Sequence, residues 1–296
     1  MILVVGGTGR LGRLVVEELV ARHDVRVLAR RATAATTMDI RVEPMDGDVR
    51  DASAVVAAAQ GVSCIVVASH GVESRERDGL ETVDVDGARA VAAAAKRVGC
   101  AVVLTSSVGA APDAMQPIAR SKWAAEQVLR ESGVPWTIIR SAAFAQTWAM
   151  ILTLSAGRSG RPSLIGQGGA GHRFVDVRDV AAVVARAATD DGLRGRTLEV
   201  CGPEVLTPSQ LASMVQHANS WSGAPRHLPV PVARALGATL SLFRPDLGRR
   251  LTLGIAMDQP QPPDGREVDA PPWITTRRIT PATMRWSAEA AAAPAP

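Results

Sequence analysis

The sequence predicts an α/β fold, in which a doubly wound parallel sheet is followed by a smaller C-terminal lobe. Three observations lead to this prediction. Strand-like apolar runs alternate with helical patterns through the first half of the chain. Two of these runs, residues 64–68 and 101–105, are almost entirely apolar instead of alternating with polar residues, as expected for parallel strands covered on both faces. A glycine-rich turn follows the first run directly.

Each predicted strand is a short run of apolar or β-branched residues that ends at turn residues or at a helical pattern. The predicted strands are residues 1–5, 25–29, 40–43, 64–68, 101–105 and 136–139, with shorter signals at 174–175 and 197–200. The predicted helices are residues 52–59, 80–98, 118–132, 177–188 and 208–218. Two further helices are expected within the proline-rich residues 225–275.

The first strand runs into the sequence GGTGRLG, residues 6–12, and apolar residues then recur at helical spacing. A strand, a glycine-rich turn and a helix in this order form the unit that receives a dinucleotide pyrophosphate in a Rossmann fold. Glycine lets the backbone approach the phosphates, and the helix N-terminus favours negative charge. The residues of this turn that we expect to contact a cofactor are Gly6, Thr8, Gly9, Arg10, Leu11 and Gly12.

The amino-acid composition and the pattern of apolar residues change after about residue 141. Residues 1–141 are predicted to form the dinucleotide-binding domain. Residues 142–287, where glycine, serine and proline are frequent, are predicted to form a smaller substrate-binding lobe that is interleaved with the sheet. Residues 288–296 are almost all alanine and proline, so we expect them to form a disordered tail.

Composition excludes several classes of protein. The chain has 296 residues, of which 47% are apolar and 21% charged, as in a globular protein with a large core. Its net charge of +4 comes from arginines spread along the sequence, which argues against nucleic-acid binding. We find no signal peptide and no apolar run of membrane-spanning length. Three scattered cysteines predict no metal site and a reducing, cytoplasmic compartment.

The residues after the second strand predict which dinucleotide is bound. A protein specific for NAD usually has an acidic residue there, for the ribose 2′-hydroxyl. This chain has Arg30 and Arg31 instead, and Asp24 precedes the strand, so it cannot serve. A guanidinium offers charged donors that suit the 2′-phosphate of NADP, and Arg10 could reach the same phosphate. We therefore expect NADP rather than NAD, although solvated loop arginines are the ordinary alternative.

Further motifs follow the glycine turn in a fixed order. They are GDVRD at 47–51, VDVDG at 83–87, TSSVG at 105–109, SKWAAE at 121–126, FVDVRDVA at 174–181 and GPE at 202–204. Together with the GxxGxxG spacing of the turn, their order over residues 1–215 resembles the short-chain dehydrogenase/reductase superfamily, specifically its extended, atypical NmrA-like branch. Fold resemblance alone does not identify a substrate.

The resemblance assigns roles to particular residues. Ser106 and Ser107 lie at the end of the strand that carries the active-site serine in the family. Lys122 matches the catalytic lysine, which lies near the cofactor ribose. Asp48 looks like the residue beside the adenine. Val49 and Ala68 are the remaining cofactor contacts that the resemblance implies.

One position departs from the family pattern of Tyr-x-x-x-Lys. Ile118 stands four residues before Lys122, and the chain contains no tyrosine. The usual proton donor for carbonyl reduction is therefore absent. A lysine beside the cofactor can still shift the pKa of a neighbour or act as a base. Relatives in the isoflavone-reductase-like group rely on the lysine alone, whereas relatives of the NmrA regulator bind the cofactor without chemistry.

Other features have both an ordinary and a functional interpretation. His172, in a glycine-rich loop, is either a solvated loop residue or a substitute proton donor. Asp176 and Asp179 are interpreted as structural, with Asp176 as a helix N-cap. A helical stripe of apolar side chains is either core or the lining of an apolar substrate pocket. Its members are Phe144, Trp148, Ile151 and Leu152.

These expectations define a function and its alternatives. We expect NAD(P)H-dependent oxidoreduction of a small, largely apolar molecule such as a quinone or an enone, with the cofactor supplying the hydride. One alternative is a non-catalytic sensor of the NADP state that signals to a protein partner. Another is an accessory subunit of a larger complex. Consumption of the cofactor would separate the first hypothesis from the other two.

Overall fold

The computed structural model describes residues 1–35, 41–260 and 271–285. The strands are β1 (Ile2–Val5), β2 (Val25–Ala29), β3 (Val42–Asp46), β4 (Cys64–Val67), β5 (Ala101–Ser107), β6 (Trp136–Ser141), β7 (Ser163–Ile165), β8 (Arg196–Val200) and β9 (Arg226–Leu228). Seven of them form one sheet in the order β3-β2-β1-β4-β5-β6-β8, and every pairing in it is parallel. The predicted doubly wound sheet is therefore confirmed.

The helices are α1 (Arg10–Val20), α2 (Ala52–Ala58), α3 (Gly87–Val98), α4 (Pro117–Glu131), α5 (Ala145–Ala156), α6 (Val177–Thr189), α7 (Pro208–Ala218), α8 (Val230–Phe243) and α9 (Pro245–Ala256). A π-helical turn, Glu81–Asp86, precedes α3. Short 3₁₀ turns lie at Ala32–Ala35, Gly157–Ser159 and Asp191–Leu193. The predicted helix at residues 80–98 is thus two segments of different pitch, because a π turn inserts extra chain ahead of α3.

Two apolar cores lie on opposite faces of the sheet. Ile2 and Val4 of β1 face the side that α1 and α6 cover. Leu3 and Val5 face the side that α2, α3 and α4 cover. Both faces of β1 are buried, which explains why its sequence is continuously apolar rather than alternating.

The second half of the chain completes the sheet as well as forming a lobe. Strand β8 pairs with β6 at the edge of the sheet, and α6 packs against α1. A third apolar core lies outside the sheet, among α5, α7 and residues of the C-terminal segment. Helices α8 and α9 pack against each other along their length and form a helical hairpin. The predicted tail at residues 288–296 lies outside the described residues.

The predicted strand at residues 174–175 is wrong. Val175 forms only an isolated bridge with Phe144, and the residues beside it belong to no strand. The physical reason is the next residue, because the carboxylate of Asp176 accepts from the N–H of Arg178 and starts α6 at once. The N-cap role predicted for Asp176 is confirmed. The short pair β7 and β9 was not predicted, since Arg226 and His227 of β9 are exposed and polar.

No helix among the described residues combines the length and the apolar character that crossing a bilayer requires. The longest of them, α4, has 15 residues and carries charged side chains.

A buried carboxylate ties α4 to the sheet. Glu126 of α4 is completely buried and accepts from the Ser106 hydroxyl at 2.6 Å. Two guanidinium nitrogens of Arg140 on β6, Nε and Nη2, donate to the same carboxylate at 2.9 and 2.6 Å. A two-pronged contact of this kind fixes orientation as well as charge. Helix α4 is thereby held at one height over the ends of β5 and β6.

We expect Glu126→Ala to lower the free energy of unfolding by about 3–5 kcal/mol, because it removes one partner of a buried ion pair. Urea denaturation followed by circular dichroism measures the change. Glu131→Ala, on the exposed end of the same helix, is the matched control and should change stability by less than about 0.5 kcal/mol. Equal effects of the two variants would contradict the proposed anchoring.

Candidate functional site

The glycine turn between β1 and α1 is shaped by backbone contacts that only glycine permits. Gly6 has a φ of +81°, and a Cβ there would lie 2.9 Å from the backbone nitrogen of Ser69. A Cβ on Gly12 would lie 2.2 Å from the Gly6 carbonyl oxygen. These two glycines therefore let α1 and the chain after β4 approach the turn closely.

Gly9 has a different environment. A Cβ there would meet nothing nearer than the Gly6 carbonyl oxygen, at 3.3 Å, and the residue is exposed. Gly9 is the N-cap of α1, and no side chain caps the helix. The first N–H groups of α1 are thus left without a side-chain acceptor, beside open space. This arrangement is a cradle that suits an anionic group.

The chain after β4 forms the second wall of the site. The hydroxyl of Ser69 is buried and has no hydrogen-bond partner among the described residues. The carbonyl of Ser69 accepts from the Lys122 ammonium at 3.2 Å. Ser69 therefore contacts the glycine turn on one side and the lysine on the other, although the sequence analysis did not select it.

Lys122 is buried and paired with a carboxylate. Its Nζ lies 2.9 Å from Oδ1 of Asp84, which belongs to the π-helical turn. The other oxygen of Asp84 accepts from the N–H of Gly71 at 3.2 Å and from the Ser121 hydroxyl at 3.3 Å. Lys122 is not a surface lysine paired with Glu126, because its side chain is buried against Asp84 and the Glu126 carboxylate is bound to Arg140. An isolated buried charge would be costly, and the pairing offsets that cost.

The two candidate serines differ in their hydrogen bonds. The hydroxyl of Ser106 donates to Glu126 at 2.6 Å and is thus engaged in holding α4. The hydroxyl of Ser107, one residue closer to the end of β5, is buried and has no partner among the described residues. Ser107 is therefore the serine with a hydroxyl free to meet a ligand, and Ser106 is a structural residue in this arrangement.

Ile118 lies one helical turn before Lys122, in an apolar environment. It is half-buried and lines a small apolar cavity with Val72, Leu80 and Leu253 of α9. This residue thus packs between α4 and the C-terminal helical hairpin. An aliphatic side chain suits this apolar contact with the hairpin.

Arg30 and Arg31 lie immediately after β2, and both side chains are exposed. The nearby Asp48 forms an ion pair with Arg50 at 2.8 Å, and Arg50 also contacts Glu76. Hydrogen bonds from Arg50 lower the pKa of Asp48. Asp48 is therefore ionised and engaged with Arg50, whereas the two arginines after β2 face solvent.

Arg10 turns away from these arginines. Its guanidinium lies 2.9 Å from the sulfur of Met150 on α5, and burial lowers its pKa. Helix α5 follows β6, three strands from β1 in the sheet, whereas Arg30 follows β2 on the other side. Arg10 therefore extends toward the lobe and not toward the loop where a 2′-phosphate is expected.

The remaining predicted site residues lie either in the apolar core or at the ends of strands. Leu11 and Val49 are buried, whereas Thr8 and Ala68 are partly exposed at the ends of β1 and β4. In the apolar stripe of α5, Leu152 is buried and Trp148 packs against it in the third core. Most of the stripe is therefore core, as in its ordinary interpretation.

His172 is buried and its Nε2 lies 3.0 Å from the carbonyl oxygen of Met257. Its backbone also bridges Leu206. This histidine is a structural residue of the lobe. His70, in contrast, is exposed in the chain just after β4, beside Ser69. The sequence offered one signal for it, since it follows a predicted parallel strand at the edge where such sheets bind ligands.

Comparisons with known proteins agree with this geometry. Residues 6–191 match a family described as NAD(P)H-binding. The (4-alkanoyl-5-oxo-2,5-dihydrofuran-3-yl)methyl phosphate reductase of Streptomyces griseus is 33% identical over 70% of each chain. The NAD(P)H azoreductase of Xenophilus azovorans is 31% identical over 83% of this chain and 82% of the relative.

Solved structures share the fold. The Citrobacter triphenylmethane reductase complexed with NADP(H) aligns with a TM-score of 0.75 at 20% identity, over 97% of this chain and 99% of that chain. The NADPH-dependent quinone oxidoreductase of Escherichia coli, complexed with NADPH, aligns with a TM-score of 0.70 at 23% identity, over 87% and 88%. This chain belongs to the NAD(P)H-binding family, in the extended, NmrA-like class of short-chain dehydrogenases/reductases.

Proposed function

We propose that this chain, an NAD(P)H-dependent oxidoreductase, transfers hydride from NADPH to a small, largely apolar acceptor such as a quinone or an enone. The observation that carries the proposal is a convergence at one edge of the sheet. The glycine turn, the free hydroxyl of Ser107 and the Lys122–Asp84 pair all lie at the carboxyl ends of β1, β4 and β5. Ligands of doubly wound sheets bind at this edge.

The proposed cofactor path follows the same edge. The pyrophosphate meets the cradle of the glycine turn, with Gly9 at closest approach and Gly6, Thr8, Leu11 and Gly12 shaping it. The adenosine extends toward the ends of β2 and β3, where Arg30 and Arg31 are free to bind a 2′-phosphate. Asp48 and Val49 border that end, and Ala68 borders the middle. The cofactor supplies the hydride, and these residues bind and orient it.

Lys122 has a positioning role in this proposal. Two of its three N–H groups are directed to Asp84 and to the Ser69 carbonyl, so one remains for a ribose hydroxyl. The buried carboxylate of Asp84 fixes the direction of the ammonium group. The Ser107 hydroxyl is proposed to orient the acceptor's oxygen by a hydrogen bond, without giving up its proton, because it is buried and has no partner among the described residues.

Ile118 limits the chemistry. An isoleucine cannot donate a proton, so ketones that need strong acid assistance are poor acceptors. Quinones and activated double bonds accept hydride with less help from a protein acid. The relatives described above include an azoreductase and a quinone oxidoreductase, which supports acceptors of this kind.

We also propose a reducing, cytoplasmic compartment. Cys64 and Cys100 are buried and carry free thiols. Burial raises the pKa of the Cys64 thiol to about 12 and that of Cys100 to about 11. Thiols of this kind behave as small apolar core residues and do not react.

The cradle is tested by Gly9→Val. The new side chain occupies the space beside the N-terminus of α1, so NADPH affinity should fall by about a hundredfold, which corresponds to about 2.7 kcal/mol. The thermal midpoint should stay near that of the wild type, because the position is open and its φ is −75°. Calorimetric titration measures the affinity.

Gly12→Val is the contrasting variant, since its Cβ would clash with the Gly6 carbonyl and should unfold the turn. Normal NADPH binding by folded Gly9→Val protein would place the phosphates elsewhere.

Cofactor choice is tested by Arg30→Ala and Arg31→Ala. Each variant should weaken NADPH binding by about tenfold, the effect of losing a charge-assisted contact to the 2′-phosphate. NADH binding should not change, because NADH lacks that phosphate. The control is Arg22→Ala, because Arg22 is exposed and precedes β2, at the amino ends of the strands. Equal affinity of the wild type for NADPH and NADH would refute the assignment.

Activity is tested with a panel of ketones, quinones and enones at saturating NADPH, followed by nicotinamide absorbance. We expect turnover with a quinone or an enone and negligible turnover with ketones. Lys122→Ala should reduce the rate by about 10²-fold, the lower range for a group that positions reactants. Since this variant leaves Asp84 buried without its cation, the double variant Lys122→Met/Asp84→Asn is the control for folding.

Tight NADPH binding without turnover of any acceptor would refute the catalytic proposal and favour a sensor. Undiminished turnover by Lys122→Ala would support an oxidoreductase but would refute a role for Lys122 in the reaction.

A further inference from the structure

His70 occupies a defined position at the carboxyl edge of the sheet. It follows β4 by three residues, and its side chain is exposed to solvent. The residue before it, Ser69, contacts the glycine turn, since a Cβ on Gly6 would lie 2.9 Å from the Ser69 nitrogen. The imidazole is thus next to the proposed cofactor site and is also open to water.

The backbone on both sides of His70 is bound to the buried ion pair. The carbonyl of Ser69 accepts from the Lys122 ammonium at 3.2 Å. The N–H of Gly71 donates to the Asp84 carboxylate at 3.2 Å. Two consecutive peptide groups are therefore fixed on the same lysine and aspartate. This holds the Cα of His70 rigidly, while its ring makes no hydrogen bond with any described residue.

Other proton donors at this edge are engaged or unsuitable. Lys122 and Asp84 are bonded to each other in a buried pair. Ile118 carries no proton, and His172 is bound to the Met257 carbonyl in the lobe. His70 is the titratable side chain at this edge that is both rigidly placed and exposed, within the part of the chain that the structure describes.

We propose that His70 is the catalytic acid that protonates the reduced quinone once hydride has added, a role distinct from that of the tyrosine that assists carbonyl reduction in the family pattern. The inference rests on the proposed hydride transfer. Hydride adds to the acceptor, and the negative charge develops on its oxygen. The His70 imidazolium gives its proton to that oxygen, forming the O–H bond, and the neutral ring then takes a proton from solvent. The overall reaction consumes one NADPH and one proton for each quinone reduced to hydroquinone.

Charges from every neighbouring segment act on this histidine. Partial removal of water and the positive charge of Lys122 on α4 lower the pKa of His70. Asp84 of the π-helical turn and Glu73 of the same loop raise it, and Arg250 of α9 lowers it. The net direction is downward from 6.5. The acid form therefore increases as the pH falls below neutrality, and a rate that depends on it should rise in the same direction.

The test compares two acceptors that differ in their need for a proton. A 1,4-naphthoquinone requires one when hydride adds, whereas a cationic triphenylmethane dye becomes neutral on accepting hydride and requires none. With His70→Gln, kcat for the quinone should fall by about 10²-fold, as for loss of a general acid, while kcat for the dye stays unchanged. The wild-type quinone rate should rise from pH 8 to pH 6, and the variant should lose this rise.

The matched control is His23→Gln, because His23 is exposed at the amino ends of the strands, before β2. This variant should change neither rate. Added imidazole should partly restore quinone reduction by His70→Ala. Equal losses with the quinone and the dye would overturn the proposal, because they would indicate a structural role. An unchanged quinone rate and pH profile in His70→Gln would also overturn it. Failure of the wild type to oxidise NADPH with either acceptor would refute the oxidoreductase function itself, and the His70 proposal with it.

Discussion

The Lys122–Asp84 ion pair organises the carboxyl edge of the sheet. It joins α4 to the π-helical turn, and through Ser69 and Gly71 it also fixes the chain after β4. Three segments distant in sequence are thus held by one buried pair of charges. Because each charge needs the other, loss of either partner would disturb all three segments at once. The shape of the site and its charge therefore have the same origin.

A second buried carboxylate, Glu126, attaches α4 to the sheet one helical turn after Lys122. It holds Arg140 and Ser106 of adjacent strands, and so it sets the height of the helix above the sheet. Lys122, one turn earlier, then lies at the level of the strand ends. The two carboxylates serve different ends, since one anchors the helix and the other orients a functional group. Ser106 belongs to the anchor, whereas the buried Ser107 hydroxyl has no partner among the described residues.

The sequence predicts most of this sheet because its signals are local. Continuous apolar runs, the glycine turn and the cap at Asp176 each act within a few residues, so pattern alone finds them. Asp84 and His70 could not be assigned in this way, because their roles depend on contacts with Lys122, far along the chain. The choice between Ser106 and Ser107 likewise depends on Glu126. The direction of Arg10 depends on Met150, which no local pattern indicates.

The packing of Ile118 links the reaction site to the C-terminal lobe. This residue of α4 lines a small apolar cavity together with Leu253 of α9, so the position that carries tyrosine in the family pattern contacts the helical hairpin here. A larger or polar side chain at residue 118 would meet the apolar side chains of that hairpin. The chemistry of the site and the packing of the lobe are therefore coupled through one residue.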